Sequence, residues 1–72
     1  MRRLYVYDTG AGRYVLLRGH PDLRGWLREQ HVPAVYAPLD RGHKLRRERL
    51  PDLLAMAQES GLPVRVHRGA AP

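Results

Sequence analysis

The sequence predicts a small α+β domain of order β-β-α-β-α-β, with about four strands in one mixed sheet and both helices on one face. Three observations carry this. Two β-rich runs, LYVY at 4–7 and YVLL at 14–17, flank a glycine-containing loop. Two later segments place apolar residues at helical spacing. Each of these segments closes on an apolar residue followed by proline, Val32-Pro33 and Leu62-Pro63, thirty residues apart.

Composition narrows the class. A chain of 72 residues is one domain, 1–72, and a domain of this size buries only about 60% of its unfolded surface, so its core is small. Apolar residues make up 43%, enough for a globular core. The absence of cysteine excludes disulfides and thiolate zinc sites and fits a reducing cytoplasm. No apolar run approaches the roughly 18 residues of a spanning helix, so no membrane partner is expected. Arg2 and Arg3 precede only LYVY, too short for a signal-peptide core.

In the first hairpin, Gly10 and Gly12 supply the positive φ that a tight connection needs, and Asp8 can cap the turn. No helix opens behind Gly10-Ala11-Gly12, so it is not a phosphate loop. The first helix is placed at 21–30, with Pro21 in the first helical position and Asp22 favourable at the positive end of the dipole. Leu23, Trp26 and Leu27 form its apolar stripe, and Gly25 suggests close packing against the sheet. VPAVYA, 32–37, reads as a third strand, with Pro33 favouring an edge position or a strand end. LDRGHK is expected to turn with Gly42 as hinge. The second helix starts between Arg47 and Leu50 and ends at Gly61, with Leu50, Leu53, Leu54 and Ala57 on one face. In the last strand, 62–67, Leu62, Val64 and Val66 face in and Arg65 and His67 out. Residues 69–72, GAAP, are expected to fray.

Pro21-Asp22-Leu23 recurs as Pro51-Asp52-Leu53, and Glu29, Val32 and Pro33 map to Glu59, Leu62 and Pro63. The echo makes VPAVYA and LPVRVH equivalent strands, and the segment from Val32 to Val66 a right-handed βαβ crossover.

The net charge is +6, with twelve arginines against one lysine. A GC-rich genome also writes arginine for lysine, but that bias does not explain clustering. Arg41, His43, Lys44, Arg46, Arg47 and Arg49 crowd one turn and helix start, where cations oppose the helix dipole. Cations there can reach phosphates, helped by free backbone N–H groups. The structural alternative is a solvated face in which Arg49 pairs with Asp52 and Lys44 with Glu48.

Tyr5, Tyr7, Tyr14 and Tyr36 are foremost ordinary half-buried sheet residues. Helices on one face leave the other open, however, and exposed tyrosines there could stack single-stranded bases. His20, His31, His43 and His67 are scattered without metal-ligand spacing, so neither metal nor other cofactor is expected. Metal-free RNA cleavage would need a base such as His43 beside arginines, with Ser60 and Thr9 the hydroxyls besides the tyrosines. Nothing in the sequence fixes that geometry, and the chain reads as non-enzymatic.

Trp26, Leu27, Arg28, Glu29, Pro33, Ala34, Gly42, His43, Arg46, Arg47, Glu48 and Leu50 match a phrase W-[IL]-R-E-G-x-[IL]-P-A, a G-H-R-like turn and R-R-E-[DR]-L. This stretch, about residues 26–55, resembles MerR-type and excisionase-type winged-helix DNA-binding domains. It departs from them at Gln30, where the family has glycine. The resemblance implies a winged helix as the alternative fold, with the helix carrying Arg24 and Arg28 in the major groove and the loop from Arg41 to Lys44 on the DNA backbone. Two functions are thus expected. One is a basic nucleic-acid-binding protein, regulatory or recombination-accessory, with duplex DNA as partner. The other is a non-enzymatic interaction module or inhibitor, phage-type or host-regulating, docked on an acidic protein surface.

Overall fold

Alternation along the first strand sets the architecture. In Leu4–Asp8 (β1), Leu4, Val6 and Asp8 are buried while Tyr5 and Tyr7 stay half-exposed. This is the period of two expected where one sheet face is covered. The computed structural model describes residues 3–8, 10 and 12–69. After β1 come Tyr14–Arg18 (β2), Leu23–Glu29 (α1), Val35–Ala37 (β3), Gly42–Arg46 (β4), Leu50–Glu59 (α2) and Val64–Arg68 (β5). Single 3₁₀ turns at Pro38–Asp40 and Arg47–Arg49 flank β4.

The strands form one mixed sheet in the order β3-β4-β2-β1-β5. All neighbouring pairs are antiparallel except β1 with β5. Leu4, Val6, Val15, Leu17 and Leu45 from the sheet join Leu23, Trp26 and Leu27 from α1 and Leu50, Leu53 and Ala57 from α2 in one apolar cluster. Both helices therefore lie on the same face, as expected. Val64 and Val66 pack against that cluster and Leu62 is buried, the inward set expected of the last strand. No helix among the described residues is long and apolar enough to cross a membrane.

The sheet has one strand more than expected, because Gly42–Arg46 is extended and pairs on both sides, with β2 and β3. That insertion changes the crossover. β3 and β5 occupy opposite edges of the sheet, and β5 runs parallel to β1, not β3. The strand joined to β5 through α2 is β4. VPAVYA and LPVRVH are still equivalent in one sense: each supplies an edge strand, as Pro33 implied.

Local chemistry explains the helix ends. Asp22 lies outside α1 as its N-cap, its carboxylate accepting from the Gly25 N–H at 3.2 Å. Pro21 therefore precedes the helix. A Cβ on Gly25 would sit 2.3 Å from Asp22 Oδ2, so Gly25 makes room for the cap and not for the sheet. At the C-terminus of α1, His31 N–H donates to Arg28 O and Val32 N–H to Leu27 O. In α2, Gly61 N–H donates to Gln58 O and Leu62 N–H to Ala57 O. Both are Schellman caps, and the thirty-residue echo superimposes them. The left-handed position is held by Gly61 (φ 71°) in one and by His31 (φ 57°) in the other.

The β1–β2 connection behaves as its glycines suggest, with Gly10 and Gly12 both at positive φ and Asp8 Oδ1 accepting from Gly10 N–H at 2.9 Å. Thr9 and residues 70–72 of the expected tail lie outside the described residues. Gly69, the first tail residue, donates its N–H to Asp8 O at 2.7 Å.

The two caps yield a prediction. Gly61→Ala, forced into a left-handed conformation, lowers stability by about 1 kcal/mol. His31→Gly raises it by roughly half that, because glycine's greater freedom in the unfolded chain offsets part of the relieved strain. Urea denaturation midpoints of the two variants check both signs.

Candidate nucleic-acid interface

The cations expected at one turn and helix start are divided by a strand. The chain reverses at Pro38–Asp40, and Arg41, not Gly42, takes the left-handed position, with φ 53°. Gly42 is the buried first residue of β4, where a Cβ would meet Leu17 O at 2.6 Å. It permits close packing on β2 and is not a hinge. From there β4 alternates. His43 and Leu45 share the face of Leu17 and Val15, their register partners. Lys44 and Arg46 project to the opposite face beside Leu16 and Tyr14.

Arg47 has a structural task. Its Nη2 donates to Asp8 Oδ1 at 2.8 Å, and its backbone N–H donates to Arg13 O at 2.8 Å. Asp8 is 7% exposed. A carboxylate at that depth needs a cation and donors to offset its lost hydration. Arg49 is exposed at the N-cap of α2, where it makes no side-chain cap. The surface pairings also differ from those expected. Lys44 approaches Asp40 at 3.8 Å and Arg46 approaches Glu48 at 3.5 Å, both in exposed positions.

The first candidate surface is a groove between α1 and the β3–β4 hairpin. Arg24, Arg28, Tyr36 and His43 line it over a floor of Leu27, Val32 and Ala34. Tyr36 and His43 are register partners with ring centroids 5.2 Å apart. Burial, with the Arg24 charge second, holds the His43 imidazole below its ordinary pKa of 6.5. Its Nδ1 is buried without a hydrogen-bond partner among the described residues. Arg41 stands at the turn that joins the two strands of the hairpin. Arg24, Arg28 and His43 thus meet in space although nineteen positions separate the first from the last.

The second surface is the sheet face opposite the helices. Register places Tyr5, Tyr7, Arg18, Lys44, Arg46, Arg65 and His67 on it. Both helices pack on the other face. Leu16 lies on this one, 9% exposed, between Tyr7 and Lys44 in register, and among the described residues no strand sends a carboxylate onto it. The Tyr7 and His67 rings stack at 4.9 Å with an interplanar angle of 11°. Arg18 and Arg65 lay outside the expected site. Arg65 was visibly outward-facing in the sequence, but only the pairing of Tyr5 with both residues brings them together.

Comparison with protein-family models, with curated proteins and with solved structures finds no match.

Two predictions separate roles within the cluster. Arg47→Ala strands the Asp8 carboxylate and lowers stability by about 2–3 kcal/mol, whereas Arg49→Ala changes it by less than about 0.5 kcal/mol. Urea titration of both variants distinguishes them. For His43, the unfolded chain binds its proton at higher pH than the folded one, so stability linked to this residue rises with pH. That contribution is fully present above pH 6.5 and is lost as pH falls through the lowered folded value. The stability difference between about pH 7.5 and about pH 5, a span that brackets imidazole titration, is smaller in His43→Leu than in the parent.

Proposed function

We propose that this chain is a small nucleic-acid-binding protein that takes duplex DNA in a regulatory or recombination-accessory role. The observation that carries the reading is the groove in which Arg24 and Arg28 of α1 face Tyr36 and His43 of the hairpin. Low-dielectric walls focus the field of such a groove, and a chain of net charge +6 adds to it. The groove sets Arg24 and Arg28 beside His43, and the resemblance to MerR-type and excisionase-type domains assigns DNA contact to the helix that carries the first two and to the loop from Arg41 to Lys44. Guanidinium groups on an exposed helix face suit phosphates and base edges. Arg49 adds an exposed charge at the start of α2, Lys44 and Arg46 carry theirs to the opposite sheet face, and Arg47 contributes mainly through Asp8.

A second reading has its own support. β3 is an edge strand, and its hairpin exposes Val35 (70%), Tyr36 (53%) and Leu39 (99%). An exposed apolar edge can accept a strand from a protein partner, and the surrounding charge favours an acidic one. Nuclease-insensitive capture of such a partner, lost on Val35→Lys, is its expected outcome.

The primary reading is tested by duplex binding at several salt concentrations. The logarithm of affinity falls steeply with the logarithm of salt, by about 0.9 per neutralised phosphate. Arg24→Glu with Arg28→Glu reduces both the affinity and the slope. Arg47 is left intact in this test because its loss destabilises the fold. A parent protein with no duplex binding at low salt overturns the reading.

A further inference from the structure

We propose that the sheet face opposite the helices is a binding platform for single-stranded nucleic acid. This rests on the nucleic-acid reading above but assigns a different surface and a different strandedness.

Tyr5 and Tyr7 lie two residues apart on β1, about 6.7 Å along the strand. His67 on β5 stands beside both, 6.0 Å from Tyr5 and 4.9 Å from Tyr7, centroid to centroid. Arg18 brings its guanidinium carbon within 5.8 Å of the Tyr7 centroid from the other neighbouring strand. Tyr7 is therefore held between the imidazole and the guanidinium, and a base that stacks on its ring takes the place of the guanidinium. These three rings form an aromatic cluster on β1 and the edge strand β5, and Tyr14 (48% exposed) stands on the same face on β2.

The cations select the occupant. Arg18 and Arg65 flank Tyr5 in register on either side. Lys44 and Arg46 continue the positive charge across β4. Their acidic neighbours, Asp40 and Glu48, form only exposed pairs, which salt and a polyanion readily displace. A second copy of this chain would set arginines against arginines, so self-association through this face is disfavoured. A polyanion satisfies the charge. The rings then discriminate strandedness: duplex bases are stacked on each other, while unpaired bases present π-faces to aromatic side chains. Single strands are thus the class that uses both the rings and the cations.

The test uses the whole protein and fluorescence anisotropy with two probes, an oligothymidylate of about twelve nucleotides, within the usual site size, and a duplex of equal length. Tyr7→Leu is expected to weaken oligothymidylate binding by about tenfold or more. Arg65→Glu, at an exposed position that leaves the core untouched, is expected to weaken it and to flatten the salt slope by about 0.7 or more. Duplex binding through Arg24 and Arg28 is unchanged in Tyr7→Leu and falls less than oligothymidylate binding in Arg65→Glu, where only the general field is weakened, and the urea midpoints of both variants confirm folding. If the folded variants bind oligothymidylate as tightly as the parent, the platform is overturned while the nucleic-acid reading stands. The platform alone is likewise overturned if the parent binds only duplex, or if Arg24→Glu with Arg28→Glu abolishes single-strand binding instead. A parent that binds neither probe overturns both. A dimer in sedimentation that Tyr7→Leu dissociates assigns the face to a second copy and overturns the proposal.

Discussion

A strand sends alternate side chains to opposite sides, and here both helices press on one side only. Almost every feature of the molecule follows from that pairing of constraints. Leu4, Val6, Val15, Leu17 and Leu45 are committed to the covered face, and their neighbours in sequence are committed to the other. A one-residue slip in any strand would exchange the two sets. The register that builds the core therefore also builds the exposed surface. The charges and rings opposite the helices are ordered as strictly as the leucines beneath them.

Within this frame the positive residues fall into distinct environments. His43 is drawn toward the core side and keeps its imidazole neutral more readily than in water. Lys44 and Arg46 project to the opposite, solvent-facing side. Arg47 is spent on a buried carboxylate that also accepts the Gly10 N–H, so it ties the first turn to the approach of α2. A dense arginine run in sequence is thus three different things in space: a groove wall, an exposed row and an internal brace.

Much of this was readable beforehand. The first hairpin, the stripe Leu23-Trp26-Leu27, the inward set Leu62-Val64-Val66 and the edge position implied by Pro33 all follow from short-range rules of spacing and backbone freedom. The thirty-residue echo marked helix–strand units that do share a cap geometry. β4 was hidden because GHKLR contains one strong apolar residue and three charged or titratable ones, which reads as a polar turn. Its extended form depends on Leu45 finding Val15 and on Gly42 fitting against Leu17, both non-local contacts. For the same reason the cluster's division between two faces, and the meeting of Arg24 with His43, were not visible in sequence spacing. Arg18 and Arg65 became neighbours only through β1.

The parallel pairing of β1 with β5 has a temporal side. Leu4 pairs with Val64, so the strand beside the sheet's edge waits for a partner made sixty residues later in synthesis. Until β5 emerges from the ribosome, β1 offers LYVYD with one unpaired backbone edge to whatever is nearby, and such edges invite pairing with other chains. The nascent chain cannot close its sheet in stages from one end, because the last strand lies beside the first. Completion of the sheet is therefore coupled to translation of its last strand, and a ribosome that stalls before residue 64 holds a chain with β1 exposed along one side.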